Sequence, residues 1–261
     1  PMEPYDDSMP EILKKHGIHR RLATDHYHYV EDGGCTYHSR YSSWSCYRGQ
    51  ESDNWVADLA PTPTEFAPNQ LSPEGATGTL REMRRHGGWQ NMHNRERLHS
   101  EEDFPMSKTF EDGIDFLNRN GRYDNWFLQI ETFDPHEPFT SPTSHFDPDC
   151  ATQPDWPPYA DVTEGHEEIE AIRTKYEASV RFCDRQLGRV LDLMDELDLW
   201  KDTMLIVNTD HGFFLSEHGY WGKGGSPNYE ELVHTPLFIW DPRSGRKGVH
   251  SPALVQTIDL A

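Results

Sequence analysis

Apolar positions along the chain follow two different periods. Trp126-Phe127-Leu128-Gln129-Ile130, Met204-Leu205-Ile206-Val207 and Thr235-Pro236-Leu237-Phe238-Ile239-Trp240 are short, nearly continuous apolar runs. Such a run, without alternation, is the mark of a strand buried on both faces. Between the first two, Ile169, Ile172, Tyr176, Val180, Leu187, Leu191, Met194 and Leu197 keep a helical spacing. They predict one long helix from Glu164 to about Leu199. Phe110, Ile114 and Leu117 predict another over Thr109–Asn120, stopped by Gly121. Near the start, Ser8 as a cap, Pro10 in the first turn and Gly17 as a stop predict a short helix over residues 8–18. A strand from Arg20 to His28 follows it. Strand, helix, strand, with buried strands, predicts an α/β fold: a central, mostly parallel sheet with helices on both faces.

The polar stretches set the organisation. Residues 33–105 are rich in aromatics, Ser, Arg and Pro, and read as a loop-rich covering region within a single domain over residues 1–261. Residues 106–261 read as the core. In open α/β sheets, ligands bind beyond the carboxyl ends of the strands. Both His136, in Asp134-Pro135-His136-Glu137-Pro138, and Asp210-His211 fall at such ends.

Composition narrows the chemistry. The formal net charge is −21, which disfavours nucleic acid as a partner, because phosphate backbones need a basic surface. An acidic chain still binds an anion where a metal and a few cations make a local positive site. Hydrophobic residues make up 34% of the 261 positions, and no apolar run is long enough to cross a membrane. Four cysteines show no CxxC pairing; Cys35 and Cys46 are open to a disulfide or to remaining free thiols. The chain starts at Pro1 and stops at Ala261 without processing signals, so both ends are expected to lie inside a longer protein. Compartment and oligomeric state stay open.

Asp210, His211 and Gly212 directly follow an apolar strand. A carboxylate and an imidazole fixed there suit a divalent cation; a capped turn would use the same residues. Glu217-His218-Gly219, Trp221-Gly222-Lys223-Gly224, Tyr229-Glu230-Glu231 and His234-Thr235-Pro236-Leu237 follow. Glycines around Lys223 predict a flexible loop that brings an ammonium near the metal turn, where it would neutralise a substrate oxyanion. Arg40, Trp44, Arg48 and Trp55 place arginines beside aromatics, which suits a sugar or a second anion, or a loop packed over the sheet. Arg81, Arg84, Arg85, Arg95 and Arg97 form a basic stretch that reads as solvated surface.

These blocks resemble the sulfatase family of the alkaline phosphatase superfamily. The likeness covers most of residues 105–261 and is looser over 8–57, where Leu13-Lys14-Lys15-His16-Gly17 resembles the segment before the family's Lys-Trp-His motif. The resemblance implies a metal-dependent sulfuric ester hydrolase acting on a sulfated carbohydrate or aryl sulfate. It implies that Asp210 and His211 hold one divalent metal, Ca²⁺ first, with Mn²⁺, Mg²⁺ or Zn²⁺ open. It further implies that Lys223 and His136 bind the sulfuryl group and serve catalysis. Where the family has Lys-Trp-His, this chain has Thr24-Asp25-His26-Tyr27-His28. His26 takes the motif histidine's place as a catalytic group, and His28 and Arg48 join the substrate-binding set.

The family's Cys/Ser-x-Pro/Ala-x-Arg segment, whose first residue becomes formylglycine, is not found in these 261 residues, and Asp6-Asp7 precedes a helix rather than ending a strand. The formylglycine and the rest of the metal cage are expected in a longer chain. A periplasmic or secreted setting goes with the family. Two other readings share the motif block: a phosphodiesterase or phosphonate monoester hydrolase, and a non-catalytic sulfatase-like binding protein.

Overall fold

The computed structural model describes residues 6–34, 36–59, 88–145 and 161–260. Its centre is a three-stranded parallel sheet in the order β2-β1-β3. The strands are β1 (His19–Thr24), β2 (Ser43–Cys46) and β3 (Trp126–Glu131). Thr24 lies beside Cys46 on one side and Glu131 on the other. All three strands therefore end level, and their following loops leave from one edge.

Two of these strands differ from the sequence expectation. β1 stops at Thr24, four residues before His28, because the Thr24 hydroxyl accepts the His26 N–H at 3.0 Å. That local bond competes with the sheet ladder and turns the chain into a 3-10 turn, Tyr27–Tyr29. β2 lies inside the stretch read as loop. It has no apolar run because it is an edge strand, with Trp44 44% exposed. A half-buried arginine holds it in place. The Arg21 guanidinium donates to Asp112 at 2.6 Å and to Ser45 at 2.5 Å, linking β1, β2 and the helix below.

That helix, α2 (Pro105–Asn120), follows α1 (Met9–Lys15) and starts four residues ahead of the expected Thr109. Pro105 supplies the fixed φ of a first helical position. The long helix α3 (His166–Glu196) sits within its expected bounds. Phe104, Phe116 and Leu117 meet Phe182, Leu193 and Met194 of α3 and pack on Leu128 and Ile130 of β3. Gly113 makes the contact close: a Cβ there would sit 2.3 Å from Ile130 Cδ1. The other sheet face is covered differently. Tyr41 stacks on Phe127 and donates to Gln129 at 2.5 Å, and Arg40 ties the turn before it to Glu11 of α1.

The remaining apolar runs do not join this sheet among the described residues. β4 (Leu205–Asn208) pairs antiparallel with β7 (Leu237–Trp240) in a separate ladder. Leu205 packs into the core, while Phe238 and Ile239 are 68% and 54% exposed. The expectation of strands buried on both faces therefore fails for this pair. Between them, β5 (Phe214–Leu215) and β6 (Trp221–Gly222) make a short antiparallel ladder, followed by one helical turn, α4 (Glu230–Val233).

The packing at Gly113 gives a stability prediction. Gly113→Leu forces extra volume between α2 and β3 and should destabilise the fold by about 1–3 kcal/mol in urea unfolding. An unchanged unfolding midpoint would contradict the helix-on-strand contact.

Candidate active site

Each central strand delivers one polar residue to a shared buried point. Asp25 follows β1, Gln50 follows β2 and Asp134 follows β3. The Gln50 amide donates to Asp25 Oδ2 and to Asp134 Oδ2, both at 2.8 Å. Asp25 Oδ1 accepts the Phe133 N–H at 2.6 Å. All three side chains are buried. Burial, then the neighbouring Asp134, pushes the Asp25 carboxyl up to about 8. Burial likewise raises Asp134 to about 7. The cluster thus fixes the loops that carry His26, Glu51 and His136.

His136 and Lys223 meet above this point. Lys223 Nζ lies 2.5 Å from His136 Nε2. An ammonium only donates, so Nε2 must be the acceptor and the ring proton sits on Nδ1. Nδ1 agrees, donating to the Glu137 carbonyl at 2.7 Å. Burial, then the Lys223 charge, depresses the His136 pKa to about 3. His136 is therefore a neutral ring in this arrangement. Glu137 is 2% exposed and lies 3.4 Å from Lys223. Burial raises its pKa, and Lys223 opposes the rise. Burial and then Glu137 raise Glu51 to about 7, and the Tyr27 hydroxyl donates to Glu51 at 3.0 Å. Glu51, His136 and Glu137 offer ligand atoms within 4.8 Å of one another. That spacing would suit a cation, and the Lys223 ammonium supplies a positive charge there.

Lys223 is held differently from the expected flexible loop. It directly follows β6, whose Trp221 is 1% exposed and donates its indole N–H to Glu164 at 2.7 Å. Gly222 adopts a φ of 95°, which a residue with a side chain rarely takes. Arg173 of α3 clamps the same hairpin by donating to the Leu215 carbonyl at 3.0 Å. The lysine is aimed by a buried anchor and a sharp turn.

Asp210 and His211 follow β4. His211 Nδ1 lies 2.9 Å from the Gly212 carbonyl, so Nδ1 carries the proton and Nε2 keeps its lone pair. Asp210 Oδ2 is 3.5 Å from that Nε2, and its side chain is 80% exposed. One carboxylate oxygen and one imidazole nitrogen facing the same side fit a divalent cation. Among the described residues no third His, Cys, Asp or Glu converges on them, so these two alone do not make a complete cage. Gly212 matters for closeness more than for turning. A Cβ there would lie 1.8 Å from the Glu231 carbonyl, because α4 passes directly over it.

The other sequence candidates separate into two groups. His26 Nδ1 is 3.1 Å from Glu131 and His28 Nδ1 is 2.5 Å from Glu31. Both histidines adjoin the Phe133 ring, which touches His136. Arg48 turns away to Asp53, donating through Nε at 2.7 Å. Cys46 is a free thiol; Cys35, Cys150, Arg81, Arg84 and Arg85 lie outside the described residues. Asp25, Gln50, Glu51, Phe133, Asp134 and Glu137 were not singled out as site residues from the sequence. Their only signal is adjacency, since each sits within three positions of a candidate in the loops after β1, β2 and β3.

A parallel α/β sheet with its polar groups at the carboxyl edge is the layout of alkaline-phosphatase-type folds. A solved protein in complex with its substrate D-glucosamine-2-N,6-O-disulfate shares it, with a TM-score of 0.58 and 13% identity over 93% of this chain and 56% of that one. The sulfatase family model matches residues 3–261, and the chain belongs to that family. Human iduronate 2-sulfatase is 41% identical over 71 residues, 27% of this chain and 12% of that protein. Arylsulfatase of Clostridium perfringens is 26% identical over 174 residues, 60% of this chain and 36% of that protein. The chain thus spans little more than half of the solved structure and less of the curated relatives.

The raised carboxyl pair gives a pH prediction. Folded pKa values above the ordinary carboxylate value confer stability that is complete below about pH 4 and is lost as pH rises to about 8. Asp25→Asn removes one of the two groups. Thermal unfolding of the variant should decline less steeply than wild type between pH 5 and 8. Parallel curves would contradict the buried pair.

Proposed function

We propose that this chain carries the anion-binding and leaving-group side of a sulfuric ester hydrolase acting on a sulfated carbohydrate or aryl sulfate. The observation that carries this reading is the Lys223 ammonium seated on His136 Nε2. Family membership supports it.

Lys223 is the residue that neutralises the non-bridging sulfuryl oxygens. In a half-buried site such a fixed cation is worth far more than in water. His136 accepts from Lys223 and so orients the ammonium. A neutral ring whose Nε2 is already an acceptor has no proton to give there, so the leaving oxygen takes its proton from elsewhere. His26 fits that role. Its Nδ1 lies 3.1 Å from the Glu131 carboxylate, which fixes the ring and leaves Nε2 as the atom that can meet the leaving oxygen. Asp210 and His211 would hold one divalent ion, with Ca²⁺, Mn²⁺, Mg²⁺ and Zn²⁺ all compatible with an oxygen–nitrogen pair. When bound, that ion supplies Lewis-acid polarisation of the ester. Arg48 acts from behind, since its bonds to Asp53 shape the turn that presents Gln50 and Glu51. The formylglycine nucleophile that the family resemblance implies has no matching segment among residues 1–261.

The test uses the protein as encoded. Lys223→Ala should lower kcat/KM for sulfate release by roughly 100-fold or more. His26→Ala should slow sugar sulfates, whose alkoxide needs a proton, far more than nitrophenyl sulfate, whose phenolate does not. Equal losses on both substrates would remove His26 from the acid role. Full activity in Lys223→Ala, or a preference for phosphonate over sulfate esters, would overturn the reading.

A further inference from the structure

The Phe133 ring stands between the two functional groups just described. It is half-buried, 5.2 Å from the His26 ring and 4.4 Å from the His136 ring, centroid to centroid. Tyr27 stacks against it at 5.7 Å and His28 lies at 5.8 Å. Its backbone is locked from below by the 2.6 Å bond to Asp25. An ester whose sulfuryl group reaches Lys223 and whose bridging oxygen reaches His26 runs past the Phe133 ring, and its leaving group continues toward His28, 5.4 Å from His26. A flat aromatic face held this rigidly suits the apolar face of a sugar or aryl ring.

The surroundings of the wall are acidic. Glu31 pairs with His28 and Glu131 with His26. With a chain charge of −21 behind them, these carboxylates repel a second anion on the leaving group. An amine or a neutral hydroxyl is accepted.

We infer that Phe133 and His28 form the ring-binding wall of the leaving-group subsite, and that the carboxylates around it select a neutral or amino-substituted ring over a uronate. This rests on the sulfuric ester reading, but the wall itself is measurable without turnover. Calorimetry or saturation-transfer NMR on the protein as encoded would compare a monosulfated hexosamine, a monosulfated hexuronate, unsulfated hexosamine and inorganic sulfate. Wild type should bind the hexosamine sulfate at least tenfold more tightly than the hexuronate sulfate. Phe133→Leu, which keeps an apolar side chain but loses the flat face, should weaken both hexosamine ligands about tenfold and leave inorganic sulfate unchanged. Glu31→Gln should narrow the gap between hexosamine and hexuronate. Tighter or equal binding of the hexuronate, no hexosamine binding, or an equal loss for inorganic sulfate in Phe133→Leu would overturn the inference. Phe133-dependent hexosamine binding in a protein that cleaves no sulfuric ester would uphold the wall and sink the sulfatase reading instead.

Discussion

One amide carries much of this architecture. Gln50 donates to Asp25 and to Asp134, and so joins the exits of all three central strands at a single buried point. Parallel pairing brings those exits level, but it does not fix the loops beyond them. The amide bridge does, and Asp25 extends it to the Phe133 backbone. Burial raises both carboxyls, and the neighbouring Asp134 adds to the rise at Asp25, so both are pushed toward neutrality. Stability of the fold and placement of the site residues thus share one set of bonds.

Around that point the electrostatics are arranged in layers. The protein as a whole is strongly acidic, yet the site needs to attract an anion. Lys223 supplies the local positive charge. Glu137 balances it from a buried position, and His136 receives it as a neutral acceptor. In the inferred leaving-group subsite, the carboxylates paired with His26 and His28 face the leaving group rather than the sulfuryl group. The acidity that disfavours nucleic acid is the same acidity that we infer to filter the rest of the substrate.

Much of this was legible in the chain because it is written in short range. Continuous apolar runs marked β3 and β4, helical periodicity marked α3, and Asp210-His211-Gly212 stood directly after a strand. What was not legible depends on contacts between distant residues. β2 has no apolar signature because it lies at an edge and is fixed by Arg21 from another strand. Gly212 looked like a turn residue, but its need for no Cβ comes from α4, nineteen or so positions further on. Lys223 looked mobile between glycines, but a buried tryptophan before it sets its aim. The family resemblance gave His136 both sulfuryl binding and a catalytic role. Only its contact with Lys223 separates those roles.

That contact is the centre of the account, and a histidine titration tests it most directly. With the ring nitrogens isotopically labelled, His136 should show the Nδ1–H tautomer and no titration between pH 5 and 9. In Lys223→Met the nearby cation is gone, and its pKa should move up toward the ordinary histidine value. A wild-type His136 that titrates near 6.5, or that carries its proton on Nε2, would contradict the pairing and the division of labour built on it.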